Sequence, residues 1–222
     1  MRLIPRRFAI GVVAAFAFAA PGLALAEDKV GSQEISLGAA NAPVTIIEYA
    51  SVTCPHCAHF NADVFPALKA RYVDTGKVRY VFREAPIHPT EDAAGFLVAR
   101  CSGPAKYLAV TDALFRNQSL LFDKQDVNGW LMAGARVGGL SEEQMKACVT
   151  DAKAIEAFNT RAEKAMTADK IDSTPTVIVN GKRIDPPGQR AITLADLDAA
   201  IRPLSSSNGR AAPARKAARK HH

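Results

Sequence analysis

The pattern of apolar and polar residues divides the chain into strands near both ends and a helical block between them. Val44–Ala50 is apolar except for a few positions, among them Glu48, and is typical of a buried central strand. Residues 77–83 alternate apolar with charged or smaller side chains and predict the next strand. Towards the carboxyl end, Thr176–Val179 and residues 182–184 flank an Asn-Gly pair, which predicts a hairpin with a two-residue turn.

Helical spacing accounts for most of the remaining apolar positions. A first helix is expected over 57–72, closing near Gly76 and kinked at Pro66, which has no N–H to donate. Ser141 and Gln144 have the spacing of a capping box. The last helix is expected to end before Pro203. The other predicted helices cover residues 91–100, 105–116, 125–137, 142–149, 152–168 and 194–201.

Residues 1–26 have the three parts of a secretory signal peptide. Arg2, Arg6 and Arg7 form a basic start, residues 8–20 are apolar, and Ala24-Leu25-Ala26 supplies a small-residue cleavage site. Phe8 follows the arginine pair directly, so general secretion is favoured over a twin-arginine signal. The chain is therefore expected in the periplasm, with the signal removed, although the same segment left uncleaved would be an anchor.

Basic residues are concentrated at the two ends. The formal charge is +6, but residues 1–26 contribute three positive charges and 203–222 contribute five, which leaves residues 27–202 at −2. Residues 203–222 are poor in apolar side chains and predict a disordered basic tail. Such a tail is able to contact anionic lipid or nucleic acid, but a solvated tail is the simpler interpretation, and we expect no nucleic-acid partner. Residues 27–202 are expected to form one domain.

Cys54-Pro55-His56-Cys57 lies where the central strand gives way to the first helix. At a helix N-terminus, unpaired N–H groups and the helix dipole favour the thiolate of Cys54, which is the reactive form in disulfide exchange. A zinc site would need further paired ligands, and covalent haem attachment would need His directly after Cys57. A purely structural disulfide across two residues would restrain the unfolded chain little.

The order of strand, CxxC helix, strand, helical block, hairpin and helix is that of a thioredoxin fold with an inserted helical domain at about 90–170, an α/β architecture. The chain resembles the DsbA-like family of exported thiol-disulfide oxidoreductases over about residues 38–204. The sharpest matches are Glu48, Cys54 to Cys57 with its Pro-His pair, and Thr174-Pro175.

The resemblance implies a role for each residue of the CxxC motif. Cys54 is the nucleophile that forms the mixed disulfide with a substrate, and it is expected to be the more exposed cysteine. Cys57 is the leaving and resolving thiol. His56 is expected to stabilise the Cys54 thiolate together with the helix end, which makes the reduced state the more stable one.

The resemblance also adds two sites outside the motif. Glu48 is expected beneath the CxxC, suited to moving protons to and from Cys57; the alternative is an outward-facing polar residue on the strand. Pro175 is expected to follow a cis peptide bond and to face the CxxC, so that the backbone of Thr174 pairs with bound peptide. An ordinary trans proline at a strand start is the alternative.

Cys101 and Cys148 stand alone in the helical block, 47 positions apart. In an oxidising compartment we expect them to form a structural disulfide between two helices. They would otherwise tune the redox potential or remain reduced packing thiols.

The predicted function is a dithiol oxidase that introduces disulfides into exported proteins, reoxidised by a membrane partner, acting as a monomer without cofactor or metal. An isomerase or reductase is the alternative within redox chemistry. From a different class, a peptide-binding chaperone with an incidental CxxC remains open, and such a protein would be indifferent to Cys54→Ser.

Overall fold

A five-stranded mixed sheet forms the centre of the fold. The computed structural model describes residues 34–207, so the predicted signal peptide and residues 208–222 of the predicted tail lie outside the described residues. The sheet order is β1-β3-β2-β4-β5, with β2 and β3 parallel and the other neighbours antiparallel. The strands are β1 Ile35–Leu37, β2 Val44–Ala50, β3 Val78–Glu84, β4 Thr176–Val179 and β5 Lys182–Arg183.

Six helices lie between β3 and β4 in the chain, which is the inserted helical block expected from the sequence. The predicted fold class, a thioredoxin fold with a helical insertion, is confirmed. None of the described helices has the length and the hydropathy to cross a bilayer. The helices are α1 Pro55–His59, α2 Phe65–Leu68, α3 Pro89–Cys101, α4 Tyr107–Arg116, α5 Gln118–Phe122, α6 Val127–Gly138, α7 Glu142–Thr150, α8 Ala152–Ala168 and α9 Leu194–Ser207.

The first predicted helix is a longer, composite element. It begins at Pro55 rather than residue 57, because the fixed φ of proline suits the first helical position. Two π-helical segments, Phe60–Val64 and Lys69–Val73, interrupt the α-helical pattern. The first lies directly before α2, and the N–H of Phe65 bonds to the carbonyl of Phe60. The wider turn therefore falls next to Pro66, where the regular hydrogen bond is lost.

The two faces of β2 contact different layers, because successive side chains of a strand point to opposite faces. Ile46 and Ala50 join the main core, which includes Cys57 and the helix that carries it. Tyr49 joins a smaller cluster on the opposite face, beneath α8. Glu48 shares the face of Ile46, so the chain directs a carboxylate into the layer that holds the CxxC motif.

The helical block is tied to the sheet at the end of β3. The ring of Phe82 lies 5.8 Å from that of Tyr107 on α4. The buried carboxylate of Glu84 accepts hydrogen bonds from Tyr107 Oη at 2.9 Å, Arg100 Nε at 2.7 Å and Arg161 Nε at 2.9 Å. Because two arginines and a hydroxyl surround it, this buried charge is compensated within the protein.

Several element boundaries agree with the sequence, and the capping box at Ser141 and Gln144 is confirmed, with both reciprocal bonds present. The predicted helix over 125–137 begins instead at Val127. Gln125 adopts a left-handed φ of 52°, and Asp126 caps α6 by accepting from Gly129 N at 2.8 Å. The hairpin turn is present, with both of its central residues at positive φ.

Three further elements differ from the sequence-based expectation. β1 and α5 were not predicted, since segments of three and five residues are too short to establish a period. The prediction that the last helix ends before Pro203 is wrong: α9 continues to Ser207. Leu204 packs against the core, and this contact favours continuing the helix beyond the proline, so residues 203–207 belong to α9 rather than to a tail.

Cys101, the last residue of α3, is joined to Cys148 of α7 in a disulfide whose Cα atoms lie 6.3 Å apart. Within the described residues, Cys54 and Cys57 are the free cysteines. The bridge thus fastens two helices of the insertion and leaves the CxxC pair in the dithiol form.

Replacing both Cys101 and Cys148 with Ala is expected to destabilise the protein by about 2–4 kcal/mol. A bridge across 47 positions restricts the unfolded chain substantially, and its removal restores that entropy. Urea unfolding of the wild type and of the double variant, both with the CxxC pair reduced, measures the difference. Equal midpoints would show that the bridge contributes nothing to stability.

Candidate active site

Cys54 occupies the N-cap position of α1, with an extended backbone at φ −79° and ψ 121°. Pro55 follows as the first helical residue, and the N–H groups of His56 and Cys57 are directed at the Cys54 sulfur. These are the amides at a helix start that have no partner within the helix. The sequence therefore creates an anion-stabilising position by starting a helix directly after the cysteine.

The pKa of Cys54 is lowered from 9.0 to about 5. The largest cause is the hydrogen bond from the Cys57 thiol, and burial opposes it by raising the pKa. The Thr174 side chain and the backbone N–H groups of Cys57 and His56 lower it further. Hydrogen bonds to the charged form thus outweigh desolvation, and the thiolate predominates at neutral pH.

Cys57 has the opposite electrostatic character. It is fully buried, and burial raises its pKa well above the ordinary value, with further increases from Cys54 and Glu48. Cys54 was expected to be the more exposed thiol, and it is, although only slightly: it is 3% exposed and Cys57 is not exposed at all. The pKa values of the two thiols therefore move apart for two reasons: hydrogen bonds, chiefly from the Cys57 thiol, lower that of Cys54, while burial raises that of Cys57.

Glu48 lies beneath this pair, 2% exposed on β2. The outward-facing alternative for this residue is therefore wrong. Burial raises the pKa of Glu48 to about 7, a hydrogen bond from Tyr80 Oη lowers it, and the charge of Cys54 raises it. A carboxyl group with this pKa exchanges protons near neutral pH, and its charge acts on Cys57.

The Thr174–Pro175 peptide bond is cis and faces the cysteines. The Cys54 sulfur lies 3.4 Å from the Thr174 carbonyl oxygen, to which it donates when it is protonated. β4, which begins at Thr176, pairs antiparallel with β2 and fixes this loop against the strand that leads to the CxxC. The sheet thus joins segments that are 120 positions apart in the chain.

A cleft of about 700 Å³ opens between the CxxC helix and the cis loop. Its walls include His56 and Phe60 from the CxxC helix, Pro175 from the cis loop, and Ile184 and Ile192 from the segment after the hairpin. The side chain of His56 is exposed, and its contribution to Cys54 comes from its backbone N–H. Stabilisation of the thiolate by the imidazole stays a prediction.

Sequence reasoning missed residues that hold the site together. Tyr80 was predicted on a strand, but its bond to Glu48 depends on the pairing of β2 with β3. Gln118 donates from α5 to the carbonyls of Val52 and Cys54 at 2.9 and 3.1 Å. No local sequence signal indicated these contacts, because each joins distant segments.

Comparison with known proteins agrees with this geometry. A family model described as thioredoxin matches residues 31–202. The chain belongs to the thioredoxin family. A Rickettsia bellii protein provisionally named a protein-disulfide oxidoreductase is 30% identical over 174 residues, covering 78% of this chain and 66% of that protein. Disulfide bond formation protein D of Bacillus subtilis is 29% identical over 156 residues, covering 67% and 68% of the two chains.

Among solved structures, Wolbachia pipientis alpha-DsbA1 superposes on this thioredoxin-family chain with a TM-score of 0.70. The identity is 24%, and the match covers 79% of this chain and 92% of the other, so the likeness is one of fold. The predicted resemblance to DsbA-like proteins is confirmed. The chain spans between about half and two thirds of the length of the Rickettsia relatives.

Proposed function

We propose that the protein is a thiol-disulfide oxidoreductase of exported proteins that works as a dithiol oxidase. The observation that carries this proposal is the position of Cys54 at the N-cap of α1. There the Cys57 thiol and the N–H groups of Cys57 and His56 lower the pKa of Cys54 to about 5, while burial raises that of Cys57. A stabilised thiolate favours the reduced enzyme, which makes the oxidised enzyme a strong acceptor of electrons. Relatives named for protein-disulfide oxidoreductase activity and disulfide bond formation support the same chemistry.

The proposed reaction is a pair of thiol-disulfide exchanges. A substrate thiolate attacks Cys54 Sγ of the oxidised pair, the Cys54–Cys57 bond breaks, and the electron pair leaves on Cys57. Cys57, with its raised pKa, takes up a proton, which Glu48 is placed to supply. A second substrate thiolate attacks the substrate sulfur of the mixed disulfide and releases Cys54 as a stable thiolate. The substrate loses two electrons and the enzyme gains them.

The remaining assignments are proposals of the same kind. Thr174 and Pro175 present their backbone beside Cys54, suited to pairing with an extended peptide held in the cleft. We propose a periplasmic location after removal of residues 1–26, reduced exported proteins as substrates, and reoxidation by a membrane redox partner, with the protein acting as a monomer.

Equilibration with glutathione buffers tests the oxidase assignment. The Cys54–Cys57 couple is expected to lie well above the potential of thioredoxin, about −270 mV, and towards the oxidising range. A value near that of thioredoxin would favour a reductase. A parallel assay compares reduced with scrambled ribonuclease: an oxidase acts on the first, an isomerase on the second. Cys54→Ser should abolish turnover of either substrate, and a chaperone would be unaffected.

A further inference from the structure

A fully buried carboxylate lies next to the CxxC motif and has no part in the exchange reaction. Asp92, in the first turn of α3, has no solvent exposure. Its oxygens accept from Ser51 Oγ at 2.8 and 2.9 Å, from Thr53 N at 3.2 Å and from Thr53 Oγ1 at 3.1 Å. They also accept from the backbone N–H groups of Ile87 at 2.8 Å and His88 at 3.0 Å.

These donors come from two separate segments. Ser51 and Thr53 belong to the turn between β2 and α1, which ends at Cys54, while Ile87 and His88 belong to the loop between β3 and α3. The two strands are parallel neighbours, so their carboxyl ends meet at one edge of the sheet. The Asp92 carboxylate therefore connects the turn that follows β2 to the loop that follows β3.

The turn that Asp92 holds supports both reactive sulfurs. The N–H of Cys54 donates to the carbonyl of Ser51 at 3.1 Å, and the backbone N–H of Ser51 is directed at the Cys57 sulfur. Ser51 and Thr53 are themselves completely buried. A shift of this turn would move Cys54 relative to the helix start and to Thr174, and hydrogen bonds weaken steeply when their geometry is lost.

We propose that Asp92 is a positioning residue for Cys54, whose carboxylate fixes the 51–54 turn so that the sulfur meets the amides of α1 and the Thr174 loop. This inference rests on the proposed function, since it concerns how the reactive thiolate is held. It adds a residue on α3, in the helical insertion, to the machinery of a site otherwise built from the thioredoxin core.

Asp92→Asn distinguishes a positioning role of Asp92 from a direct effect of its charge, because the two change the pKa of Cys54 in opposite directions. The amide has nearly the same shape, but its NH2 group would face donors where the carboxylate accepts. Removing a negative charge near a thiol would by itself lower the thiol pKa. Loss of positioning acts in the opposite direction, because the thiolate loses the hydrogen bonds that stabilise it.

The experiment is a titration of the thiolate absorbance of reduced wild type, Asp92→Asn and Glu84→Gln. Glu84 is the matched control, since it is also a buried carboxylate with several donors but has no bond to the 51–54 turn. The Cys54 midpoint is expected to rise by about one pH unit in Asp92→Asn, a tenfold change in the ionisation constant, and to stay unchanged in Glu84→Gln.

A midpoint that stays or falls in Asp92→Asn would overturn the positioning role. If that variant does not fold, Thr53→Val and Ser51→Ala each remove one donor without changing the charge; a smaller upward shift in both supports the proposal, and no shift in either overturns it. A wild-type midpoint near that of ordinary cysteine would instead contradict the proposed function itself, so the two failures are distinguishable.

Discussion

The stability advantage of the reduced over the oxidised protein is expected to grow as the pH rises from about 5 to about 9. The folded pKa of Cys54 is about 5, lowered chiefly by the hydrogen bond from Cys57, against an ordinary value of 9.0. A lowered pKa contributes stability that is complete above the unfolded value and is lost as the pH falls through the folded value. Each pH unit inside this window corresponds to about 1.4 kcal/mol, which gives about 3 kcal/mol at pH 7.

Urea unfolding of both redox forms across this window measures the effect. Cys57 does not disturb it, because its pKa is raised and its thiol stays neutral in the folded state. Glu48 titrates in both forms and largely cancels in the difference. Cys54→Ser is the matched control: the excess stability of the reduced wild type over this variant should follow the same curve. A difference that is flat with pH would rule out a stabilised thiolate.

Glu48→Gln is expected to stabilise the protein above pH 7 and at the same time to slow the exchange reaction. Burial is the main cause that raises the folded pKa of Glu48 from 4.5 to about 7. Stability from a raised pKa is complete below the unfolded value and is lost as the pH rises through the folded one. The wild type therefore loses about 3 kcal/mol between these values, and the glutamine variant does not.

Glu48→Gln is expected to slow the reaction of Cys57. Cys57 must lose its proton to attack a mixed disulfide on Cys54, and its raised pKa makes this unfavourable without a base. Resolution of a glutathione mixed disulfide on Cys54 should slow by about a hundredfold or more in Glu48→Gln. In the wild type the rate should follow a pH profile with a midpoint near 7, the pKa to which burial raises Glu48.

Tyr80→Phe is a second test of the role of Glu48. The bond from Tyr80 lowers the pKa of Glu48, so its loss should move the midpoint of the rate profile to higher pH. Tyr107→Phe is the matched control, because it removes a buried tyrosine bond to Glu84 instead. An unchanged rate in Glu48→Gln, or equal shifts in the two tyrosine variants, would exclude Glu48 as the proton carrier.

The sequence was sufficient for features that depend on a local pattern and for residues whose chemistry is unusual at their position. A charged residue within an apolar strand indicated Glu48, and a CxxC pair at a strand-to-helix junction indicated Cys54 and Cys57. The Asn-Gly hairpin and the capping box follow from residues within four positions of one another. Each of these signals is contained in a short stretch of sequence.

The supporting contacts could not be predicted because they depend on which strands become neighbours. Asp92 lies 41 positions from Ser51, and only the parallel pairing of β2 with β3 brings their segments together. Its sequence position marks it as an ordinary acidic residue in the first turn of a helix. Pro203 shows the reverse case, in which a strong local signal is overridden by the packing of Leu204 on the core.

The pKa of the Cys54 thiol is the quantity on which the proposed mechanism depends most directly. It is obtained from the rate of iodoacetamide alkylation of the reduced protein as a function of pH, with Cys57→Ala as the companion variant. The expected pKa is about 5, set first by the hydrogen bond from the Cys57 thiol, and it should rise when that donor is removed. A thiol that titrates near 9.0 and is indifferent to Cys57 would contradict the proposed mechanism.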